Sequence, residues 1–268
     1  MPKVCLNDVE LYYEVHGPDA SQSRLPLMLV AGLASDSQSW LTVLAALAEH
    51  RSVVLLDNRG CGRTAPQHCP NSIDAMADDC IALADHLGID RFDLLGHSMG
   101  GFVALDCALR YQERIGHLVL ANAAAASSAR NDALFDDWCG SWESGIDRAL
   151  WFRNFFYWVF TPAFFEPAST VEDLLRLNLD YPFPQSIEGF AGQVAAIRGF
   201  DHWTALTKVG ADTLVLCSER DLVFPPGADA AGLASIPGAR VVVIPDQAHA
   251  LHVEAPNLFL GPVLDFLR

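Results

Sequence analysis

The chain has 268 residues, 51% of them hydrophobic and 19% charged, enough apolar material for a large buried core and too apolar for a disordered chain. Lys and Arg number 17 against 33 Asp and Glu, a formal net charge of −16. That surplus argues against a nucleic-acid binder, which needs a basic face to displace counterions from phosphates, and it disfavours anionic membranes.

In chain order, short strand-like runs alternate with helical spacing, the pattern of a mostly parallel sheet with helices on both faces. Val4 to Val15 predicts an antiparallel edge pair turning at Asn7-Asp8. Further strands are predicted at Leu27–Val30, Ser52–Asp57, Phe92–Gly96, His117–Ala121, Thr213–Cys217 and Arg240–Ile244, whose continuous apolarity suits strands covered on both faces. Helices are expected at Ala75–Leu87 (stopping at Gly88), Met99–Tyr111 and Ala255–Leu267. From Ala123 to Ala205 no strand-like run occurs, and Trp, Phe and helical spacing concentrate. This predicts a helical cap over 123–205, inserted between the sixth and seventh core strands, with the core formed by 1–122 and 206–268.

The seven cysteines, at 5, 61, 69, 80, 107, 139 and 217, are odd in number, with no C-x-x-C spacing and no metal-ligand neighbours. They are expected as free thiols in a reducing cytoplasm. Met1-Pro2-Lys3-Val4-Cys5 has no apolar h-region, so no signal peptide is expected. The most apolar stretch, Trp151 to Phe165, contains Arg153, Asn154 and Pro162 and is too short to span a bilayer.

The chemistry centres on Gly96-His97-Ser98-Met99-Gly100, which lies between an apolar strand and a helical pattern. A serine hydroxyl is a poor nucleophile until a base takes its proton, and in G-x-S-x-G a sharp strand-to-helix turn presents it to that base. Ser98 is therefore the candidate nucleophile. His97 adjoins it and is read as a pocket or packing residue.

With Asp57-Asn58-Arg59-Gly60-Cys61-Gly62-Arg63-Thr64, similar to a D-x-R-G-x-G-x-S turn with Thr for the last Ser, this motif makes the chain resemble the α/β-hydrolase superfamily over essentially its whole core. As a whole it most resembles small bacterial enzymes of the 3-oxoadipate enol-lactonase and aminoacrylate-hydrolase type. The resemblance implies an α/β-hydrolase fold, no metal or organic cofactor, and a triad in the order serine, acid, histidine. Asp221, just after the seventh strand, fits the acid, with Glu219 as the rival. His249 fits the base, since with Glu254 and Pro256 it reproduces H-x-x-x-x-E-x-P, although Ala248 stands where Gly is usual. His252 is out of that register and is read as packing. The Asp57–Thr64 turn is read as structural, and Trp40 as a packing residue.

The oxyanion requires two preorganised N–H donors. The resemblance implies the amides of Met99 and Leu33, the latter in Val30-Ala31-Gly32-Leu33, where relatives usually carry His-Gly. In the cap, Trp151 to Phe160 has the spacing of a helix seating its apolar face on the core, and such faces also line pockets. Trp151, Phe155 and Trp158 are the expected substrate contacts, with His97. Arg153, Arg198 and His202 either meet a substrate carboxylate or are surface and capping charges.

The expected activity is hydrolysis of a small carboxylic ester or lactone through an acyl-enzyme intermediate. The expected partner is a small molecule, with no nucleic acid or membrane, and homo-oligomerisation is left open. A haloalkane dehalogenase or epoxide hydrolase is disfavoured, because such relatives carry Asp in place of Ser98. C–C bond hydrolysis and cofactor-free lyase or synthase chemistry with the same triad remain open, as does a non-catalytic ligand receptor or scaffold on this fold.

Overall fold

The computed structural model describes residues 2–18 and 24–268. Eight strands form one sheet in the order β1-β2-β4-β3-β5-β6-β7-β8, where β1 is Lys3–Leu6, β2 Val9–His16, β3 Leu27–Val30, β4 Val53–Leu56, β5 Phe92–His97, β6 Ile115–Ala121, β7 Asp212–Ser218 and β8 Arg240–Ile244. β1 and β2 pair antiparallel through a turn at Asn7 (φ 52°), β2 lies antiparallel on β4, and the other pairings are parallel.

Alternation within the strands divides the core into two layers. Leu27 and Leu29 of β3 face the side covered by α1 (Leu41–Leu47) and, at the end of the chain, α10 (Pro256–Phe266), with Trp40, Val43, Phe259 and Val263. Met28 and Val30 face α2 (Ile73–His86) and α3 (Met99–Arg110), with Met76, Cys80, Phe102 and Val103. β5, central in the sheet, is buried at every residue.

Two helix boundaries differ from expectation for local reasons. α2 starts at Ile73 because the Ser72 hydroxyl accepts the Ala75 N–H at 3.0 Å and so caps it two residues early. The terminal helix α10 starts at Pro256, one residue later than expected, and an unexpected short helix, α9 (Leu251–Glu254), precedes it; the two stay separate because a residue before proline avoids the helical region and Ala255 sits at φ −137° ahead of Pro256.

Between β6 and β7 lie α4 (Ala129–Glu143), α5 (Arg148–Val159), α6 (Ala168–Leu179) and α7 (Ile187–Ile197). The base of this insertion is closed by an antiparallel bridge between Ala126 and Asp201, with Ser127 N donating to Phe200 O at 2.8 Å. α8 (Asp229–Leu233) follows β7. Among the described residues no helix is long and apolar enough to cross a membrane. The loops after β3, β5, β6, β7 and β8 all leave the carboxyl end of the sheet, which is where open α/β sheets gather their functional residues.

Candidate active site

Ser98 is the first residue after β5 and the N-cap of α3, with φ 56° and ψ −122°. A side chain held in such a region costs of order 1–3 kcal/mol and persists only when its surroundings fix it. Here Ser98 N donates to Ala121 O at 3.0 Å, and Ser98 O accepts from Gly101 N at 2.8 Å. The turn also needs its two glycines. A Cβ on Gly96 would stand 2.0 Å from the Gly100 carbonyl oxygen, and one on Gly100 would stand 2.1 Å from that of Val30.

Asp221 follows β7 and is 3% exposed. Its Oδ1 accepts the N–H groups of Val223 (2.8 Å) and Phe224 (2.9 Å), and its Oδ2 accepts Asn122 Nδ2 (2.9 Å) and His249 Nδ1 (2.9 Å). Four donors fix the carboxylate in place. Because a carboxylate only accepts, His249 must carry its proton on Nδ1, which leaves the Nε2 lone pair free to act as a base. Glu219 is exposed and accepts Asp246 N at 2.9 Å, so it serves its own loop and does not reach His249.

Ser98 and His249 open on a cavity of about 590 Å³, as do Leu33, His97, Trp151, Phe155 and several other aromatic residues of α4 and α5. Among the described residues, neither the Met99 nor the Leu33 amide donates to a backbone or side-chain acceptor. Leu33 lines the cavity, and Met99 directly follows the Ser98 that opens on it. Ala31, where relatives usually carry His, does not leave its loop loose, since its carbonyl accepts Asn58 Nδ2 at 3.0 Å.

Trp158 departs from expectation. It does not line the cavity but packs edge-on to Trp138 at 6.4 Å, with the Arg130 guanidinium over its ring. Nor do Arg153, Arg198 and His202 line the cavity. Arg153 pairs with Glu172 (2.6 Å), Arg198 with Asp136, and His202 with Asp106 (2.9 Å). The Asp57–Thr64 turn is built from internal bonds. Asp57 accepts Ser37 N and the backbone and side chain of Arg63, and the Thr64 hydroxyl bonds both Asp57 O and Tyr12 N, as a serine there could. Glu254 accepts both the N–H and hydroxyl of Thr161, tying the segment after His249 to the residues just past α5.

Two residues went unnoticed in the sequence. Asn122, just past β6, holds the Asp221 carboxylate, and Arg148, at the start of α5, lines the cavity.

His97 and His252 are buried beside His249, their rings 4.4 Å apart, and His252 lies 4.8 Å from the fully buried Trp40. His97 Nε2 donates to the His249 carbonyl at 2.9 Å, so His97 steadies His249 from its backbone side. Burial, then the charges of His252 and His249, push the His97 pKa well down. Burial, then His249, push His252 down to about 3. In the unfolded chain each titrates near 6.5. As pH falls below about 6.5, the unfolded chain therefore takes up protons that the native fold refuses, and stability falls toward pH 3; above 6.5 both states are neutral and the dependence vanishes. Between pH 7.5 and 5.0 His252 alone should cost about 2 kcal/mol, with His97 acting in the same direction. Urea unfolding at the two pH values checks this. His252→Phe should flatten the slope, and equal wild-type stabilities at both pH values would contradict it.

A family model for the alpha/beta hydrolase fold matches residues 26–256. The protein of Agrobacterium fabrum named carbamate hydrolase RutD is 30% identical over 266 residues, covering 96% of this chain and 98% of that one. Among solved structures, a hydrolase from Pseudomonas aeruginosa is similar with a TM-score of 0.88 at 30% identity, covering 99% of this chain and 97% of that one. An enol-lactonase from Burkholderia xenovorans also superimposes with a TM-score of 0.88, at 28% identity and 99% coverage of both chains. The strained serine turn, the strand order and relatives matched along nearly their full length agree, and the chain belongs to the α/β-hydrolase fold family and is a hydrolase.

Proposed function

We propose that the protein cleaves a small carboxylic ester or lactone through a covalent acyl-enzyme, with Ser98 as nucleophile, His249 as base and Asp221 as the residue that orients it. The observation that carries this reading is the Asp221–His249 pair, bonded at 2.9 Å, with His249 opening on the same cavity as the strained Ser98. His249 Nε2 takes the hydroxyl proton as Ser98 Oγ attacks the carbonyl, and Asp221 stabilises the imidazolium that forms. The Met99 and Leu33 amides receive the charge that develops on the carbonyl oxygen. His249 then protonates the leaving alcohol and activates water to release the acid.

Residues 123–205 act in this reading as a cap whose aromatic side chains wall the acyl site. An apolar cavity of about 590 Å³ favours an acyl group of several carbons. Carbamate, the substrate in the name of one relative, presents a carbonyl deactivated by nitrogen, whereas an ester or lactone carbonyl needs less activation. The seven cysteines are all free thiols, which supports a reducing, cytoplasmic setting.

A series of p-nitrophenyl esters of increasing acyl length tests the reading. Phe155→Ala should shift the relative kcat/KM between acetyl and hexanoyl esters by about tenfold or more, the scale of apolar-pocket discrimination. Trp158→Ala, outside the cavity, should keep the wild-type profile. Thermal melts must accompany the kinetics, because truncating a buried aromatic can cost about 3–5 kcal/mol. An unchanged profile in folded Phe155→Ala would reduce that residue to cap packing.

A further inference from the structure

Arg148 is at odds with its surroundings. In a chain with 33 acidic and 17 basic residues, eleven other arginines are engaged by carboxylates in the structure, among them Arg51, Arg59 and Arg63. Arg148 has no such partner among the described residues. Its neighbour Asp147 is turned away to cap α5, accepting Leu150 N at 3.1 Å. The guanidinium is stacked instead, with its carbon 3.3 Å from the ring centre of Trp142, 4.9 Å from Trp151 and 4.8 Å from Phe152. Nη1 is buried without an acceptor. Burial alone pushes its pKa down, to about 10, which still leaves it charged at neutral pH.

Aromatic stacking occupies the faces of a guanidinium and leaves its in-plane N–H groups free, and that edge is the part that fits a carboxylate with two parallel hydrogen bonds. A buried donor with no acceptor is costly. An anion arriving with a ligand removes that cost. The group faces the cavity that also holds Ser98 and His249, and among the described residues it is the only Lys or Arg lining it.

We propose that Arg148 anchors a carboxylate on the substrate, so that the compound hydrolysed is a small ester or lactone bearing an anionic group remote from its scissile carbonyl. This rests on the acyl-transfer reading for the word "hydrolysed", but the anion site itself can be tested without turnover. The protein's net charge repels anions at long range, so a local cation is needed to select one. One guanidinium edge matches the two oxygens of a carboxylate, whereas a phosphate would leave an oxygen and a further charge in an apolar wall.

The test is calorimetric binding of glutarate, with glutaramide as its uncharged counterpart, alongside hydrolysis of mono-p-nitrophenyl glutarate and p-nitrophenyl butyrate. Wild-type protein should bind glutarate at least tenfold more tightly than glutaramide, and Arg148→Gln should lose that preference. Arg148→Lys, which keeps the charge and loses the fork, should retain only part of it. The ratio of kcat/KM for the anionic over the neutral ester should fall about tenfold or more in Arg148→Gln. Equal wild-type affinities for the two probes would overturn the proposal whether or not the variants fold. So would a glutarate preference that survives intact in folded Arg148→Gln. Discrimination of glutarate with no turnover of either ester would support the anion site and sink the ester-hydrolase reading instead.

Discussion

Ser98→Ala should lose turnover by on the order of 10⁶-fold, with substrate binding largely retained. The loss is large because nothing else at the site can attack. Cys61 also lines the cavity, but burial and the nearby charges of Asp57 and Asp36 push its thiol pKa well up and keep it protonated. His249→Ala should lose a comparable amount, since Ser98 would then attack without a base. The effect belongs in kcat, measured on whichever ester of the series is best, with unfolding midpoints alongside. A folded Ser98→Ala protein retaining more than a tenth of the wild-type rate would remove Ser98 from the mechanism.

Asp221→Asn should lower kcat by about 10⁴-fold, the scale seen when a triad acid becomes its amide. The four bonds to the carboxylate explain why so small a change matters. An amide has one acceptor oxygen, and its NH₂ must face either the Val223 and Phe224 N–H groups or Asn122 Nδ2 and His249 Nδ1. With the oxygen kept on the two backbone donors, the NH₂ turns to His249 and forces Nδ1 to accept. The proton then moves to Nε2, and the imidazole can no longer receive one from Ser98. Glu219→Gln, altering an exposed side chain that bonds only Asp246 N among the described residues, should leave kcat near wild type. A loss below tenfold in Asp221→Asn, or a larger loss in Glu219→Gln, would exchange the roles of the two acids.

Much of this was legible because parallel sheets put function at strand ends. Apolar runs bounded by turn residues gave β3 and β8 with the limits observed, Leu27–Val30 and Arg240–Ile244. Ser98, Asp221 and His249 follow β5, β7 and β8, so their loops emerge from the same edge of the sheet despite more than a hundred residues of sequence between the first two. What escaped depends on rotation and on partners distant in sequence. On α5 the cavity stripe runs through Arg148, Trp151, Phe152, Phe155, Phe156 and Val159. Trp158 lies at its edge and turns toward Trp138 of α4, a neighbour that spacing within one helix cannot show. Arg148 stands three and four residues before Trp151 and Phe152, on the stripe itself, and that spacing was a readable signal. It went unread because a charge at a helix start is ordinarily solvated. Asn122 gave less warning, since its role exists only where the β6 and β7 loops meet.

The central claim is that Ser98 is a nucleophile activated by His249, and labelling with a fluorophosphonate tests it most directly, because phosphonylation requires an activated serine and no knowledge of the natural substrate. Intact mass and peptide mapping should find one label per chain, on Ser98, in the wild-type protein. Ser98→Ala should take none, and His249→Ala should label far more slowly. A wild-type protein that stays unlabelled, or a label that persists in Ser98→Ala, would contradict the account.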